Sequence, residues 1–117
     1  MSVILRRIYA EDPPVDGTRI LIDRVWPRGI SKEKAKLDDW MKEIAPSSSL
    51  RKWFEHDPDK FEDFKKAYQN EINESEMAQM KLQELKKMAT NERLVLLFGA
   101  KDMTHNHAVV LKEMIEE

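Results

Sequence analysis

Ile20–Gly29 reads ILIDRVWPRG, and this run decides the fold. Ile20, Leu21, Ile22 and Val25 belong in a core. An apolar run this continuous predicts a strand, Ile20–Val25, buried on both faces as in a parallel sheet covered by helices. Asp23, Arg24 and Arg28 lie within the same run, and Trp26, Pro27 and Gly29 stop the strand. A buried strand ending in charge, an aromatic ring, Pro and Gly has the layout of an α/β ligand site.

Upstream, Val3–Ile8 is apolar at both ends and predicts a first strand. The connection Ala10–Thr18 carries two breakers, Asp12-Pro13-Pro14 and Asp16-Gly17. It is short for a parallel crossover and long for a tight hairpin, so it leaves the direction of the first strand open. Downstream, Ser31 is a candidate N-cap for a helix carrying Leu37, Trp40, Met41 and Ile44 on one stripe, ended by Pro46. Ser47–Ser49 offer caps for a helix with Leu50, Trp53 and Phe54. Asp57-Pro58 starts another, with Phe61, Phe64, Tyr68 and Ile72 on its inner face. Asn73 and Glu76 form a capping box for a fourth, whose stripe is Met77, Met80, Leu85 and Met88, with Leu82 to one side. Arg93–Phe98 (RLVLLF) is the last strand, Gly99 to Asp102 a loop, and Thr104 the cap of a final helix with Val110, Leu111, Met114 and Ile115 inward. The order is β-β-α-α-α-α-β-α. It predicts one α/β domain over residues 1–117, with a mainly parallel sheet of about three strands and helices packed on it.

Composition narrows the chemistry. The chain has no cysteine, which excludes disulfides, thiolate metal sites and a Cys nucleophile and fits a reducing compartment. Charged residues make up 36% of it, yet the net charge is −2. Balanced charge at that density implies solvated helix faces and argues against wholesale nucleic-acid binding. No apolar run has the length of a membrane span or signal-peptide core, so the expected location is cytoplasmic, without membrane contact.

If the second and last strands are parallel, Asp23, Arg24, Trp26 and Arg28 meet Lys101, Asp102, His105, Asn106 and His107 at one sheet edge. Arg24 and Arg28 carry planar donor forks suited to phosphate or carboxylate, and Gly29 allows close backbone approach. The competing role for Arg24, equally weighted, is an ion pair with Asp23 or Asp102 that fixes the loop. Trp26 is read first as core and second as a stacking platform. His105, Asn106 and His107 open the last helix, where free N–H groups favour an anion. His107 is the candidate acid–base group and Asp23 its orienter. On a regular helix His105 and His107 point about 200° apart, which disfavours a shared metal. His56-Asp57 is read as a helix cap and its neighbour rather than an acid–base pair.

Several of these pieces resemble a known family. They are Asp23-Arg24-Val25-Trp26-Pro27-Arg28-Gly29, Ala45-Pro46-Ser47, Leu50-Arg51-Lys52-Trp53-Phe54, His56-Asp57-Pro58, Ala100-Lys101-Asp102 and His105-Asn106-His107-Ala108. Together they resemble the YeaO-like branch of domain-of-unknown-function family 488, over nearly the whole chain. The resemblance implies a small α/β domain with a mainly parallel sheet, the first strand included, and no established activity. The wider family has an Asp-Val-Arg strand end and a Cys-His-Arg motif at the start of the last helix. Asp23-Arg24 stands near the first, and Asn106-His107-Ala108 stands in place of the second. Only the His of that motif is shared, so thiol chemistry does not carry over.

The expectation is a binding or catalytic domain for a small anionic, phosphate- or nucleotide-like ligand at the C-terminal edge of the sheet. No cofactor and no metal is expected. A non-catalytic module for a protein or nucleic-acid partner is the alternative, with nucleic acid not favoured. A metal-dependent hydrolase using His56, His105 and His107 is third. Ligand identity, turnover and oligomeric state stay open.

Overall fold

The central strand is β4, Arg93–Phe98, bounded as its sequence predicts. The computed structural model describes residues 2–11 and 13–117, so Asp12 of the first breaker lies outside the described residues. β4 pairs in parallel with β1 (Ser2–Arg7) on one side and β2 (Thr18–Leu21) on the other. A fourth strand, β3 (Asp39–Trp40), pairs in parallel with β2, so the order is β1-β4-β2-β3. The sheet is therefore α/β and parallel throughout, with one more strand than expected. The open question of β1's direction resolves as parallel.

Alternation along β4 divides the core. Leu94, Leu96 and Phe98 face a layer of helices: α2 (Ser48–Phe54), α3 (Phe61–Glu74), α4 (Glu76–Asn91) and α5 (His107–Glu116). Val95 and Leu97 face a thinner layer with Leu21, Ala35, Trp26, Leu37 and Trp40. Each fully buried Leu, Ile or Phe side chain stabilises by about 1.5–3 kcal/mol relative to exposure.

The expected stripe Phe61, Phe64, Tyr68 and Ile72 is buried along α3, and Val110, Leu111, Met114 and Ile115 are buried along α5. Four expectations need correction. The second strand does not reach Val25: it ends at Leu21, Ile22 N–H still donates to Leu97 O (3.1 Å), and Val25 is exposed. The helix expected to carry Leu37, Trp40, Met41 and Ile44 is a single turn, α1 (Lys32–Ala35), followed by β3 and a 3-10 turn at Lys42–Ile44. Ser31 does cap α1, but Lys36 turns left-handed (φ 50°) and ends it. Leu37 and Trp40 then go to one face of the sheet, Met41 and Ile44 to the other. On α4 the buried residues are Ala78, Leu82, Leu85 and Ala89, while Met77 and Met80 are exposed. Its cap is Ser75, not Asn73, which lies inside α3; likewise Asn106, not Thr104, caps α5.

The α1 region is held from β2 by Arg19, a buried guanidinium. Its Nη1 and Nη2 donate to Glu11 Oε2 and Oε1 (3.0 and 2.7 Å). Further donors reach Val15 O, Ala35 O and Lys36 O, and Asp38 Oδ2 accepts from the Arg19 backbone N–H. Nothing in the helical spacing of residues 37–44 shows this hub.

Candidate functional site

Because every strand is parallel, all C-terminal ends open on one edge. The chain leaves β2 toward the thin layer and leaves β4 toward α5 in the helical layer. That divergence opens a cleft of about 910 Å³, walled by residues 23–25, Pro46, α2, His56, Phe64, residues 99–102, Asn106 and His107.

Asp23 joins the two central strands at the cleft floor. Its Oδ2 accepts from Gly99 N–H at 2.9 Å. A Cβ at residue 99 would lie 3.0 Å from that oxygen, so glycine permits the approach. Oδ1 is shielded from solvent and, among the described residues, receives no hydrogen bond. It lies 3.0 Å from His107 Nε2, whose N–H is aimed instead at Ile22 O, 3.1 Å away. Since a carbonyl can only accept, His107 carries a proton on Nε2. Trp40 Nε1 donates to Asp23 O at 2.7 Å and fixes its backbone from the opposite face.

Tyr68 lies edge-on to the His107 ring, fully buried, and donates to Ile44 O at 2.6 Å. Burial, aided by the charges of Glu71 and Asp23 and opposed by Arg24, pushes its phenol far above the usual tyrosine range. Its hydroxyl is spent on the Ile44 carbonyl, and the ring packs behind His107 without lining the cleft.

Among the described residues Arg24 pairs with no carboxylate. Its Nε and Nη2 donate to Pro46 O and Ala45 O, both at 3.0 Å, and so hold the loop that enters α2. Ser47 begins that helix by accepting from Leu50 N–H, and its own N–H and hydroxyl donate to Glu71 (2.9 and 2.5 Å). Arg51 and Lys52 of α2 are exposed on the cleft wall, which Lys101 also lines.

Asp102 accepts from the Thr104 and His105 N–H groups, from the Thr104 hydroxyl and from His105 Nδ1, at 2.9–3.0 Å. The Thr104 N–H foremost, opposed by desolvation and helped by the His105 N–H and the His105 and Thr104 side chains, holds its carboxyl well below the usual range. His105 is drawn to Asp102 and packs edge-on to Phe61 rather than lining the cleft. Asn106 is buried, accepting from Val109 N–H and donating to Asp102 O, so its amide is spent on capping α5.

Of the residues singled out in the sequence, the cleft gathers Asp23, Arg24, Lys101, Asp102, Asn106 and His107. Trp26 belongs to the thin layer, donating to Ile30 O (2.7 Å) and packing edge-on to Trp40. Arg28 is exposed and outside the cleft wall, and its carbonyl accepts from the Tyr9 hydroxyl. Arg51, Lys52 and Phe54 were not singled out for the site. Apolar residues at 50 and 54 turn 51 and 52 outward on α2, but that spacing does not say that the outward face borders a cleft. Among the described residues no three His, Asp or Glu side chains gather as a metal site, and His56, His105 and His107 do not converge. No described helix is long and apolar enough to cross a membrane.

The sequence model of the inactive DUF488-N3 subclade matches residues 2–117. The chain belongs to that subclade. Relatives of the DUF488-N3 chain include the uncharacterised protein YeaO of Escherichia coli, 39% identical over 115 residues, spanning 98% of this chain and 97% of YeaO. Uncharacterised proteins of Mycobacterium tuberculosis and Mycobacterium bovis are 34% identical over 113 residues, 97% of this chain and 92% of theirs. No solved structure matches the DUF488-N3 chain significantly.

Proposed function

We propose that the protein binds a small anionic ligand, phosphate- or nucleotide-like, in the cleft at the C-terminal edge of its sheet. One observation carries this. Arg24, Arg51, Lys52 and Lys101 line the cleft, and among the described residues none of them makes an ion pair. Of the cleft's two carboxylates, Asp102 is held by its own turn and Asp23 Oδ2 by Gly99 N–H, while Asp23 Oδ1 stays shielded from solvent beside His107. Four cations against two acids leave a formal +2 in the cleft of a chain whose net charge is −2. A concave site with low-dielectric walls focuses that potential on an anion. Phe54, Phe64, Pro46 and Val25 give the same cleft an apolar side for the body of the ligand.

Turnover is the second reading, and the Asp23–His107 pair supports it. With Nε2 turned inward to Ile22 O, Nδ1 is the nitrogen left to accept a proton, and Asp23 Oδ1, 3.0 Å from Nε2, is the charge partner. The subclade's description as inactive weighs toward binding alone. A cytoplasmic setting, where phosphate esters are abundant, suits the cysteine-free chain.

A thermal-shift panel of ATP, inorganic pyrophosphate, citrate and adenosine tests this on wild type, Arg51→Ala and Lys52→Ala. Both residues are exposed, so the fold survives their loss. An anion at a hundred times its dissociation constant stabilises by about 2.7 kcal/mol, a shift of several degrees. Wild type should respond to the anions and not to adenosine, and the variants should respond less. Equal shifts in all three proteins would place the anion elsewhere.

A further inference from the structure

We infer that His56 contacts the ligand of this cleft, held on its wall by a strained turn so that its ring N–H grips the anionic group. The inference deepens the anion-binding function proposed above and rests on it. Helix α2 ends where Glu55 turns left-handed (φ 47°), its N–H donating to Arg51 O. His56 is left-handed as well (φ 57°), and Asp57 N–H closes the turn onto Phe54 O at 3.0 Å. A four-residue turn with positive φ at both central positions is one that Asn-Gly or Gly-Gly fills without strain. Here Glu and His fill it, each against the steric clash of Cβ with the following carbonyl.

Strain of this kind persists only where surrounding structure over-determines it, and it gathers at ligand sites. The turn's outcome is chemical. It places His56 in the cleft wall, exposed, its ring 6.1 Å from that of Phe54. Arg51 and Lys52, one turn earlier on α2, line the same cleft. The cleft thereby gains three donors of different reach from this segment, beside those of Lys101 and the Asp23–His107 pair. A phosphoryl group, with several acceptor oxygens, can use a guanidinium, an ammonium and an imidazole N–H together. A single carboxylate cannot engage all three as fully.

The test is calorimetric titration of inorganic pyrophosphate into wild type, His56→Gly and His56→Asn, with the melting midpoint of each unliganded protein. Gly relieves the strain and Asn tolerates the left-handed conformation, so neither variant endangers the fold. We expect His56→Gly to melt a few degrees higher than wild type and both variants to bind pyrophosphate about tenfold more weakly. Wild-type affinity in both variants would overturn the role of His56 and leave the anion site standing. A His56→Gly protein that loses both midpoint and affinity would assign the residue to packing and also overturn the role. Absence of pyrophosphate binding by wild type would overturn the anion site and His56's role with it.

Discussion

Replacing Arg19 by Met is the sharpest test of how the back of the sheet holds the site. The guanidinium makes six hydrogen bonds, to both Glu11 oxygens, Val15 O, Lys36 O and twice to Ala35 O. Both partners of the ion pair are shielded, with side-chain exposures of 6% and 4%. Met keeps most of the aliphatic volume but leaves the Glu11 charge and three carbonyl groups unpartnered. Breaking a buried pair on one side costs about 3–5 kcal/mol. For a chain of this length that lowers the melting midpoint by roughly 15 °C. Urea unfolding followed by tryptophan fluorescence measures it, since Trp26 and Trp40 pack in the same layer. Adding Glu11→Leu to Arg19→Met removes the stranded charge and should return most of the loss. Acid supplies an independent check. Burial alone would raise the Glu11 carboxyl, but the hydrogen bonds from Arg19 and Val15 and the charges of Arg19 and Arg6 hold it below its ordinary value of 4.5. Its contribution is therefore complete above pH 4.5 and lost as pH falls through the lowered value, so the gap between wild type and Arg19→Met narrows in acid. A single-variant cost below about 1 kcal/mol, or a double variant no better than the single, would refute the hub.

Three further outcomes are expected. Gly17→Ala should destabilise by about 2 kcal/mol or more by urea unfolding, because the backbone sits at φ +144° and a Cβ would lie 2.8 Å from Arg93 O. Tyr68→Phe strips the donor from the buried Ile44 carbonyl and should cost about 1–2 kcal/mol in the same assay. The Asp102 carboxyl, followed by carbon NMR through an acid titration, should stay ionised well below the ordinary aspartate range; its contribution to stability is present above the unfolded value and lost as pH falls through the depressed one.

Where a strand or helix carried a complete pattern, the sequence was legible. β4 has its residues, bounds and two-sided burial written in RLVLLF, and α3 and α5 have theirs in their periodic apolar faces. Residues 32–44 were not legible, because helical spacing of Leu37, Trp40, Met41 and Ile44 competes with a long-range partner. Arg19 takes the carbonyls of Ala35 and Lys36, and β2 pairs with residues 39–40, so a tertiary hub and a two-residue strand override a local period. On α4 the large Met77 and Met80 drew the predicted stripe, yet the small Ala78 and Ala89 face the core. At the site, parallel topology brought Asp23 and Arg24 to Lys101 and His107 as the strand order implied. Trp26 left that group because the chain turns to the other face after Val25, and Arg28 is exposed beyond it, outside the cleft wall. The basic wall of α2 was hidden because no local pattern says which exposed helix face borders a cleft.

The most direct measurement is an amide chemical-shift map of the labelled protein titrated with inorganic pyrophosphate. Anion binding in the cleft predicts saturable shifts grouped at residues 23–25, 46–56 and 99–107, which are far apart in sequence and meet only in this fold. Shifts spread over the exposed lysines without saturation, or grouped on the opposite face of the sheet, would contradict it.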